Sequence, residues 1–309
     1  MTAQNGTVRL LGLDIGGTSS RARMVVDGAI VAEAQAASAS LTAAGSDSAA
    51  AALAELLAQL PLGDPFDAIC AGSAGSNVPG AQEFLADRLA PLTRAGTVIV
   101  VNDAMLVLPA AGLDEGVAVI CGTGSIAVGT WPGREARSGG FGYLLGDEGS
   151  GYWITRAAVR ALLDRRDRGV PLGALGEVLL TAAGASHIDE LHRMFYDFPH
   201  PRRWARHAPA VLDADDPAAR SIAVEAAQAL AGLADSAMRR LAGPADLPVV
   251  LGGGLMGHPR LREAAVIAVR GVLPGHEVRA LTDPPVAGAI RLAGAAAHRD
   301  WVPGTPASS

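Results

Sequence analysis

The chain is predicted to have an α/β fold made of two similar domains. Strand-like apolar runs alternate with amphipathic helices along its 309 residues, an order that is typical of mixed α/β sheets. Two segments, GLDIGGTSSRARMVV and AVICGTGSIAVGT, each have the pattern strand, glycine turn, strand. Each is followed further along the chain by a strand that runs into small residues, which indicates a weak internal repeat. We therefore expect two related domains that face a cleft.

The first domain, residues 1–112, is predicted to begin with three strands. The buried strand VRLLGLDI precedes the first glycine turn, and two more apolar runs are joined by Asp27-Gly28, a strong hairpin signal. The helix SDSAAAALAELLAQL follows, with Ser46 or Asp47 as its N-cap. The remaining order is a strand in FDAICAGSAG, a helix in AQEFLADRLAPL and a strand in GTVIVVNDA.

The second domain, residues 113–284, is predicted to repeat this opening and then to add helices. Residues 149–245 are expected to be mostly helical, and LPVVLGGGLM supplies a strand that breaks into three glycines. A closing helix at about residues 285–299 starts next to prolines, where a missing N–H is harmless, and it is assigned to the first domain. Residues 300–309 are interpreted as a tail.

Composition excludes several classes of function. A net charge of -6 argues against nucleic acid or a membrane surface as a partner. No run of 18 apolar residues is present and Asp14 comes too early for a signal peptide, so a soluble cytoplasmic protein is expected. The sequence contains no lysine, which excludes a Walker P-loop and a Schiff-base enzyme. The two cysteines, Cys70 and Cys121, are interpreted as small buried hydrophobic residues.

Two glycine turns are candidate phosphate sites. In DIGGT, Asp14 to Thr18, a hairpin turn of glycines orients successive backbone N–H groups toward one point, and such a nest binds anions. Asp14 could hold a magnesium ion through bound water. CGTGS, Cys121 to Ser125, is a second turn of this kind, with a hydroxyl from Thr123. A plain tight turn explains either motif alone, but the pair suits a polyphosphate.

Three further stretches carry candidate chemistry. GGGLM, starting at Gly252, follows a strand and precedes a helix, which lets a backbone lie against a flat ligand or a phosphate. Taken alone, this motif is also explained by a plain glycine-rich turn between a strand and a helix. In NDA, Asp103 follows a buried strand, where it could act as a base or simply form an Asx turn or helix cap with Asn102. GGFGYLLGDEGSGYWI packs six glycines around Asp147 and Glu148, so something must approach this backbone closely.

These motifs together resemble the N-acetylglucosamine kinase family. That family is a branch of the BadF/BadG/BcrA/BcrD-type ATPases within the actin-like, ribonuclease H-like superfamily of sugar kinases. LGLDIGGTSSRARMV resembles its first phosphate motif, VNDA its catalytic segment, GTGS its second phosphate motif and VVLGGGLM its adenosine motif. SGGFGYLLGDEGSGYWI resembles its most specific stretch. The order and spacing agree from about Leu10 to Ala293, so the resemblance implies two actin-like domains flanking a cleft for ATP and sugar.

The resemblance also implies roles for individual residues. Asp103 would take the proton from the 6-hydroxyl of an amino sugar, and ATP with Mg²⁺ would be the phosphoryl donor. Glu148 would bind sugar hydroxyls or, the favoured alternative, cap a helix starting near Gly149. A homodimer is expected, with the helical region from Ala157 to Ala210 as a candidate contact. The ATP phosphates would contact Gly16, Gly17, Thr18, Gly122, Thr123 and Gly124, the adenosine Gly252, Gly253 and Gly254, and the sugar Ser73, Asn102, Asp103, Gly140, Phe141, Gly142 and Asp147.

The sequence departs from the family at one place, and one alternative stays open. The family often has an asparagine after the third strand, whereas this chain offers only Ser38, Ser40 and Thr42 there. The identity of the amino sugar therefore stays open among N-acetylglucosamine, glucosamine and N-acetylmuramic acid.

The alternative to a sugar kinase is an ATPase activator of the 2-hydroxyacyl-CoA dehydratase or benzoyl-CoA reductase type. That class shares an iron–sulfur cluster between subunits through two cysteines each, and Cys121 is the residue that favours it.

Overall fold

The computed structural model describes residues 7–297, so the predicted tail at 300–309 and the end of the closing helix lie outside the described residues. The chain forms two compact units. The first contains the residues up to Asp114 together with those from Leu281 onward, and the second contains Glu115–Ala280. Each unit is built on one five-stranded sheet.

The sheet of the first unit has the strand order β3-β2-β1-β4-β5. The first three strands form an antiparallel meander, and its β2–β3 turn is the predicted hairpin, with Asp27 and Gly28 both at positive φ. β4 and β5 run parallel to β1, so these three strands end at one edge. The strands are β1 (Arg9–Ile15), β2 (Ser19–Val26), β3 (Ala29–Ala37), β4 (Ala68–Ser73) and β5 (Val98–Asn102).

The sheet of the second unit repeats this topology. Its order is β10-β9-β6-β7-β8, so β6 to β10 correspond to β1 to β5 in position and direction. This correspondence confirms the internal repeat inferred from the sequence. The strands are β6 (Gly116–Cys121), β7 (Ser125–Trp131), β8 (Arg134–Gly139), β9 (Val249–Gly252) and β10 (Val278–Ala280). The sequence analysis did not identify β8 or β10, because β8 is a polar strand and β10 has three residues.

The helices cover the sheets and fill the predicted insertion. The prediction for the N-cap of α2 was wrong, because the helix begins at Ser46 after Gly45 and no side chain caps it. The described helices are α1 (Leu41–Ala44), α2 (Ser46–Ala58), α3 (Ala81–Leu89), α4 (Val107–Ala110), α5 (Gly151–Asp167), α6 (Gly173–Ala183), α7 (Ile188–Asp197), α8 (Pro201–Ala205), α9 (Ala208–Asp213), α10 (Pro217–Leu241), α11 (Pro259–Val272) and α12 (Val286–Ala297).

Close backbone packing fixes the position of α12 in the first unit. A Cβ at Gly12 of β1 would lie 2.9 Å from the Ile290 nitrogen, and one at Gly288 would lie 2.8 Å from the Ala110 nitrogen. Only glycine permits these approaches. Because Gly288 also abuts the backbone of Leu106, α12 supports the turn that follows β5. The backbone of α12 therefore packs directly against the turn at the end of β5.

A nearly buried ion pair holds the helical insertion of the second unit together. Arg165 of α5 donates two hydrogen bonds, of 2.8 and 2.6 Å, to the carboxylate of Asp216, whose side chain is 5% exposed. Asp216 also caps α10 by accepting from the Ala218 nitrogen at 2.8 Å. The Arg165 hydrogen bonds lower the pKa of Asp216 to about 2. One side chain therefore joins α5 to α10.

Replacing Asp216 by alanine is expected to lower the free energy of unfolding by about 3–5 kcal/mol, because it leaves Arg165 unpaired and α10 uncapped. The matched control is Asp215→Ala, which removes a carboxylate that is 94% exposed and should change little. Folding lowers the pKa of Asp216. The ionised Asp216 side chain therefore contributes to the free energy of unfolding above pH 4, and this contribution is lost as the pH falls toward 2. Urea unfolding followed by circular dichroism at pH 7 and pH 3 checks both points; equal losses in the two variants would contradict them.

The predicted α/β class with mixed sheets is confirmed. Within residues 7–297, no helix combines the length and the apolar character needed to cross a membrane.

Candidate active site

Four predicted site residues of the first unit lie at one edge of its sheet. Ile15, Ser73 and Asn102 occupy the same register level at the ends of β1, β4 and β5. Asp14 is one residue before the end of β1, and Asp103 directly follows β5. The carboxyl edge of parallel strands is where open α/β sheets bind ligands. Ser73 itself is buried, with 2% exposure, whereas the other predicted residues at this edge are half-buried.

Asp103 begins a short 3-10 helix, and Asn102 caps it, as the helix-cap interpretation of the NDA motif predicted. The Asn102 side chain caps this helix by accepting from the Ala104 nitrogen at 3.2 Å. Oδ1 of Asp103 accepts from the same nitrogen at 3.0 Å. The cap fixes the carboxylate at the strand end, so the structural role that the motif suggested also positions the candidate base.

Burial raises the pKa of two carboxyl groups at this edge, Asp103 and Asp14. It raises the pKa of Asp103 to about 6, against the effect of the Ala104 hydrogen bond. Burial also raises the pKa of Asp14 to about 6, with a further contribution from the Asp103 charge that Arg21 partly offsets. A carboxyl group with a pKa near neutrality is suited to proton transfer. A cation beside Asp14 would relieve the cost of ionising it.

The first glycine turn presents unpaired backbone N–H groups. The Gly16 nitrogen donates to the Ser19 oxygen at 3.0 Å and closes the turn. In the described part of the chain, no carbonyl accepts from the N–H of Gly17 or Thr18. Those two groups are therefore available to an anion, as the nest interpretation requires.

The three hydroxyl residues after β3 hold loops together. Ser38 Oγ donates to the Gly16 oxygen at 2.7 Å and so supports the first glycine turn. Ser40 Oγ donates to the Ala74 oxygen at 2.8 Å and contacts Thr42 Oγ1 at 3.0 Å. These hydroxyls are engaged within the protein, where the family often has a sugar-binding asparagine. The hydroxyls therefore join the loop after β3 to the loops after β1 and β4.

The second glycine turn lies at the start of α5. The Gly122 nitrogen donates to the Gly124 oxygen at 2.9 Å, which parallels the closing bond of the first turn. The first N–H groups of α5 donate back to the turn, Gly151 to the Gly122 oxygen at 2.9 Å and Tyr152 to the Thr123 oxygen at 3.4 Å. The N–H groups of Thr123 and Gly124 have no carbonyl acceptor among the described residues. The predicted nest in the second unit is therefore built on a helix terminus.

Asp147 packs against this second turn. Its Oδ1 accepts from the Ser125 nitrogen at 3.2 Å, and its Oδ2 lies 2.7 Å from where a Cβ of Gly124 would be. Its φ of 60° is rare for a residue other than glycine. Burial raises the pKa of Asp147 despite the Ser125 hydrogen bond. The structure thus brings a predicted sugar residue next to the predicted phosphate turn of the same unit.

The favoured cap role for Glu148 was wrong. The helix begins at Gly151, and its cap is Ser150, whose hydroxyl accepts from the Trp153 nitrogen at 3.3 Å. Glu148 is exposed, and its backbone oxygen accepts from Ser125 Oγ at 2.7 Å. Serine is a preferred N-cap because its short side chain places the hydroxyl oxygen within reach of a free N–H of the first turn.

An arginine that sequence reasoning missed anchors the glycine-rich loop. Gly139 and Gly140 both have positive φ, and Arg137 donates to the Gly140 oxygen at 2.7 Å and the Gly139 oxygen at 3.4 Å. The Gly140 nitrogen donates to the Ser125 oxygen at 3.0 Å. The loop then turns outward, where Phe141 is 69% exposed and Gly142 is also exposed. The only sequence signal for Arg137 is its position two residues before the paired glycines.

The three glycines at the end of β9, Gly252 to Gly254, have different environments. Gly252 is the last residue of the strand. Gly253 has a φ of 94°, and a Cβ there would lie 2.7 Å from the carbonyl carbon of Cys121. Gly254 has open space around its missing Cβ. Gly253 is thus required by the fold, whereas Gly254 leaves room for a ligand.

Both cysteines are buried, as the sequence analysis expected. Burial raises the pKa of each thiol to about 12. Cys121 Sγ donates to the Gly149 oxygen at 3.3 Å. A cluster ligand must be an accessible thiolate, so these environments count against the activator alternative.

The fold and these turns define a class, the two-unit α/β proteins of the actin-like superfamily. The chain belongs to the BadF/BadG/BcrA/BcrD ATPase family, whose model matches residues 11–297. A solved structure of a candidate N-acetylglucosamine kinase from Chromobacterium violaceum has a TM-score of 0.72 and 28% identity, covering 92% of this chain and 99% of that one. A ROK family glucokinase from Streptomyces griseus, at 19% identity and a TM-score of 0.61 over 93% and 98%, shares the fold.

Two relatives of known name are similar over part of the chain. An N-acetylmuramic acid/N-acetylglucosamine kinase of Clostridium acetobutylicum is 42% identical over 132 residues, 41% of this chain and 43% of the relative. An N-acetyl-D-glucosamine kinase of Dictyostelium discoideum is 35% identical over 164 residues, 50% of this chain and 51% of the relative. The matches therefore span about half the length of these curated relatives.

Proposed function

We propose that the protein is an ATP-dependent amino-sugar kinase. It transfers a phosphoryl group to the 6-hydroxyl of N-acetylglucosamine or a closely related amino sugar. The observation that carries the proposal is Asp103, a carboxylate with a pKa of about 6 held at the carboxyl edge of a sheet in a member of this ATPase family. The partial relatives named as N-acetylglucosamine kinases supply the substrate class.

Asp103 is the proposed general base. Phosphoryl transfer to an alcohol needs a group that accepts the hydroxyl proton as the new bond forms. The raised pKa makes Asp103 a stronger base than an exposed aspartate while leaving it ionised at neutral pH. The hydrogen bonds from Ala104 to Asn102 and Asp103 fix its direction.

The glycine turns and Asp14 are chemically suited to a nucleoside triphosphate and its magnesium ion. Both glycine turns offer N–H groups that lack internal acceptors, at Gly17, Thr18, Thr123 and Gly124. Asp14 is proposed to hold Mg²⁺ through bound water, where the ion would neutralise negative charge on the phosphates. The adenosine is assigned to Gly252–Gly254, with Gly254 offering the open approach.

Candidate sugar-binding residues are proposed in each unit. Asn102 and Asp103, with Ser73 behind them, belong to the first unit. Gly140, Phe141, Gly142 and Asp147 belong to the loop that Arg137 anchors in the second. The Asp147 carboxylate would accept hydrogen bonds from sugar hydroxyls, and the glycines would let the sugar approach the backbone closely. We also propose that the protein works as a cytoplasmic homodimer. Light scattering measures the molar mass of the purified chain in solution and so tests the dimer.

ADP release with magnesium-ATP tests the proposal across a panel of acceptors. The panel contains N-acetylglucosamine, glucosamine, N-acetylmuramic acid, N-acetylmannosamine, glucose and no sugar. Turnover that depends on one amino sugar is the expected result. Slow ADP release that is indifferent to every sugar would defeat the kinase proposal.

The rate is expected to depend on pH through the base. Because ionised Asp103 is the active form and its pKa is about 6, kcat/KM should rise about tenfold per pH unit below pH 6 and level off above pH 7. Asp14 titrates in the same range, so the apparent values belong to the pair. A pH–rate profile from 4.5 to 8.5 checks this. A profile that is flat between pH 5 and 7 would contradict the assignment.

A further inference from the structure

Ser125 joins the second glycine turn to both ends of the glycine-rich loop. It is the first residue of β7, directly after Gly124, and it is buried. Its N–H donates to Asp147 Oδ1 at 3.2 Å, and its hydroxyl donates to the Glu148 oxygen at 2.7 Å. Its carbonyl oxygen accepts from the Gly140 nitrogen at 3.0 Å. All three polar groups of one residue therefore bind the loop that contains the proposed sugar residues of the second unit.

The middle of this loop is held by few contacts of its own. Phe141, Leu144 and Leu145 are among the most exposed large apolar side chains of the described residues. Tyr143 points inward, and its ring packs edge-on against Tyr152 with the ring centres 5.1 Å apart. Segments with few buried contacts have low local stability. The conformation of the loop therefore depends on how its two ends are held.

Ser125 is also linked directly to the proposed phosphate nest. The peptide group that carries its N–H contains the Gly124 carbonyl, which accepts from the Gly122 nitrogen at 2.9 Å and closes the turn. The N–H groups of Thr123 and Gly124 lack a carbonyl acceptor among the described residues. An anion bound to those two groups would fix the backbone next to the N–H that holds Asp147. All of these residues belong to the second unit.

We propose that Ser125 is a positioning residue that couples the two substrates, so that a nucleotide bound at the Gly122–Gly124 turn raises the affinity for the sugar. The inference rests on the proposed function for the identity of the two ligands. Because Ser125 joins the turn to the loop, the ligand that binds first orders both, and the second ligand binds with a smaller loss of conformational entropy. The coupling is reciprocal, so the sugar raises the affinity for the nucleotide by the same factor.

Isothermal titration measures this coupling factor. The Kd of N-acetylglucosamine is determined with and without saturating Mg²⁺ and AMPPNP, an ATP analogue that is not hydrolysed. For the wild type we expect AMPPNP to lower the sugar Kd about 5–20-fold, a usual size for coupling between two sites. Ser125→Ala, which removes the hydrogen bond to the Glu148 oxygen, should reduce this factor at least about threefold. Ser125→Thr keeps the hydroxyl and should restore most of the coupling.

Two matched variants separate coupling from a general loss of structure. Thr155→Val removes another buried hydroxyl of the second unit, which donates to the Trp204 oxygen at 2.9 Å. It also leaves a carbonyl without its partner, so it should lower the Tm about as much as Ser125→Ala but leave the coupling factor unchanged. Arg137→Met frees the Gly139 and Gly140 oxygens at the base of the loop. It should raise the sugar Kd equally with and without AMPPNP.

Hydrogen exchange tests the inference on the wild type, whether or not the variants fold. AMPPNP alone should slow amide exchange in residues 140–147, and unchanged exchange there would overturn the inference. A wild-type coupling factor of one, or an unchanged factor in folded Ser125→Ala, would overturn it too. A protein that binds both ligands with coupling but phosphorylates no sugar defeats the proposed function alone. A protein that binds neither ligand defeats both proposals.

Discussion

Replacing Asp103 by asparagine is expected to reduce turnover by about 10²–10⁴-fold, the range that a general base contributes. Asparagine has nearly the same shape and keeps an oxygen to accept from the Ala104 nitrogen. Sugar binding should therefore change far less than kcat. Steady-state kinetics together with titration of the sugar separate the two quantities. Near-normal turnover would remove Asp103 from the base role.

The same substitution is expected to stabilise the protein. The folded pKa of about 6 lies above the unfolded value of 3.8, so ionised Asp103 costs about 3 kcal/mol at pH 8. That cost is present above pH 6 and is relieved as the pH falls toward 4. Asp103→Asn should therefore raise the Tm by several degrees at pH 8 and by little at pH 4.5. Asp87→Asn, a change at an exposed carboxylate of α3, is the control that should leave the Tm unchanged.

Replacing Gly253 by alanine is expected to have the largest effect on folding. The new Cβ would lie 2.7 and 2.8 Å from backbone atoms of Cys121, and the φ of 94° strains any other residue. β9 would have to move away from β6 and its turn. We expect a loss of several kcal/mol in the free energy of unfolding, seen as a Tm lower by 10 °C or more or as insoluble protein.

The neighbouring glycine provides a matched control. Gly254→Ala adds the same methyl group in open space, so the Tm should stay within about 2 °C of wild type. If the adenosine packs here, this variant should raise KM for ATP with little change in kcat. Equal Tm losses in the two variants would contradict the structural assignment. A normal KM in Gly254→Ala would remove that residue from the adenosine site.

The sequence predicted the parts of the fold that follow from local patterns. Hydrophobic runs and the Asp27-Gly28 turn fixed the first three strands, and the repeated strand–turn–strand segments indicated the two corresponding sheets. β8 was missed because its exposed, polar residues give no apolar run, and its pairing with β7 supplies what its sequence lacks. The cap at Ser150 was missed because the helix begins at Gly151, two residues after the predicted start near Gly149.

The site was predictable where a motif is continuous in sequence. The DIGGT and CGTGS turns present free N–H groups as their glycines suggested. Contacts between distant segments could not be read in the same way. Asp147 beside Gly124 and Ser38 on Gly16 both join residues more than twenty positions apart. Their positions depend on tertiary packing, which no local pattern encodes.

Transfer of label from [γ-³²P]ATP to N-acetylglucosamine is the most direct measurement. The purified chain is incubated with magnesium, labelled ATP and the sugar, and the products are separated by thin-layer chromatography. The proposed function predicts one labelled sugar phosphate for each ADP formed, with the phosphate on the 6-oxygen, and formation at least about 10²-fold slower with Asp103→Asn. Label found only as inorganic phosphate, at a rate that the sugar does not change, would contradict it.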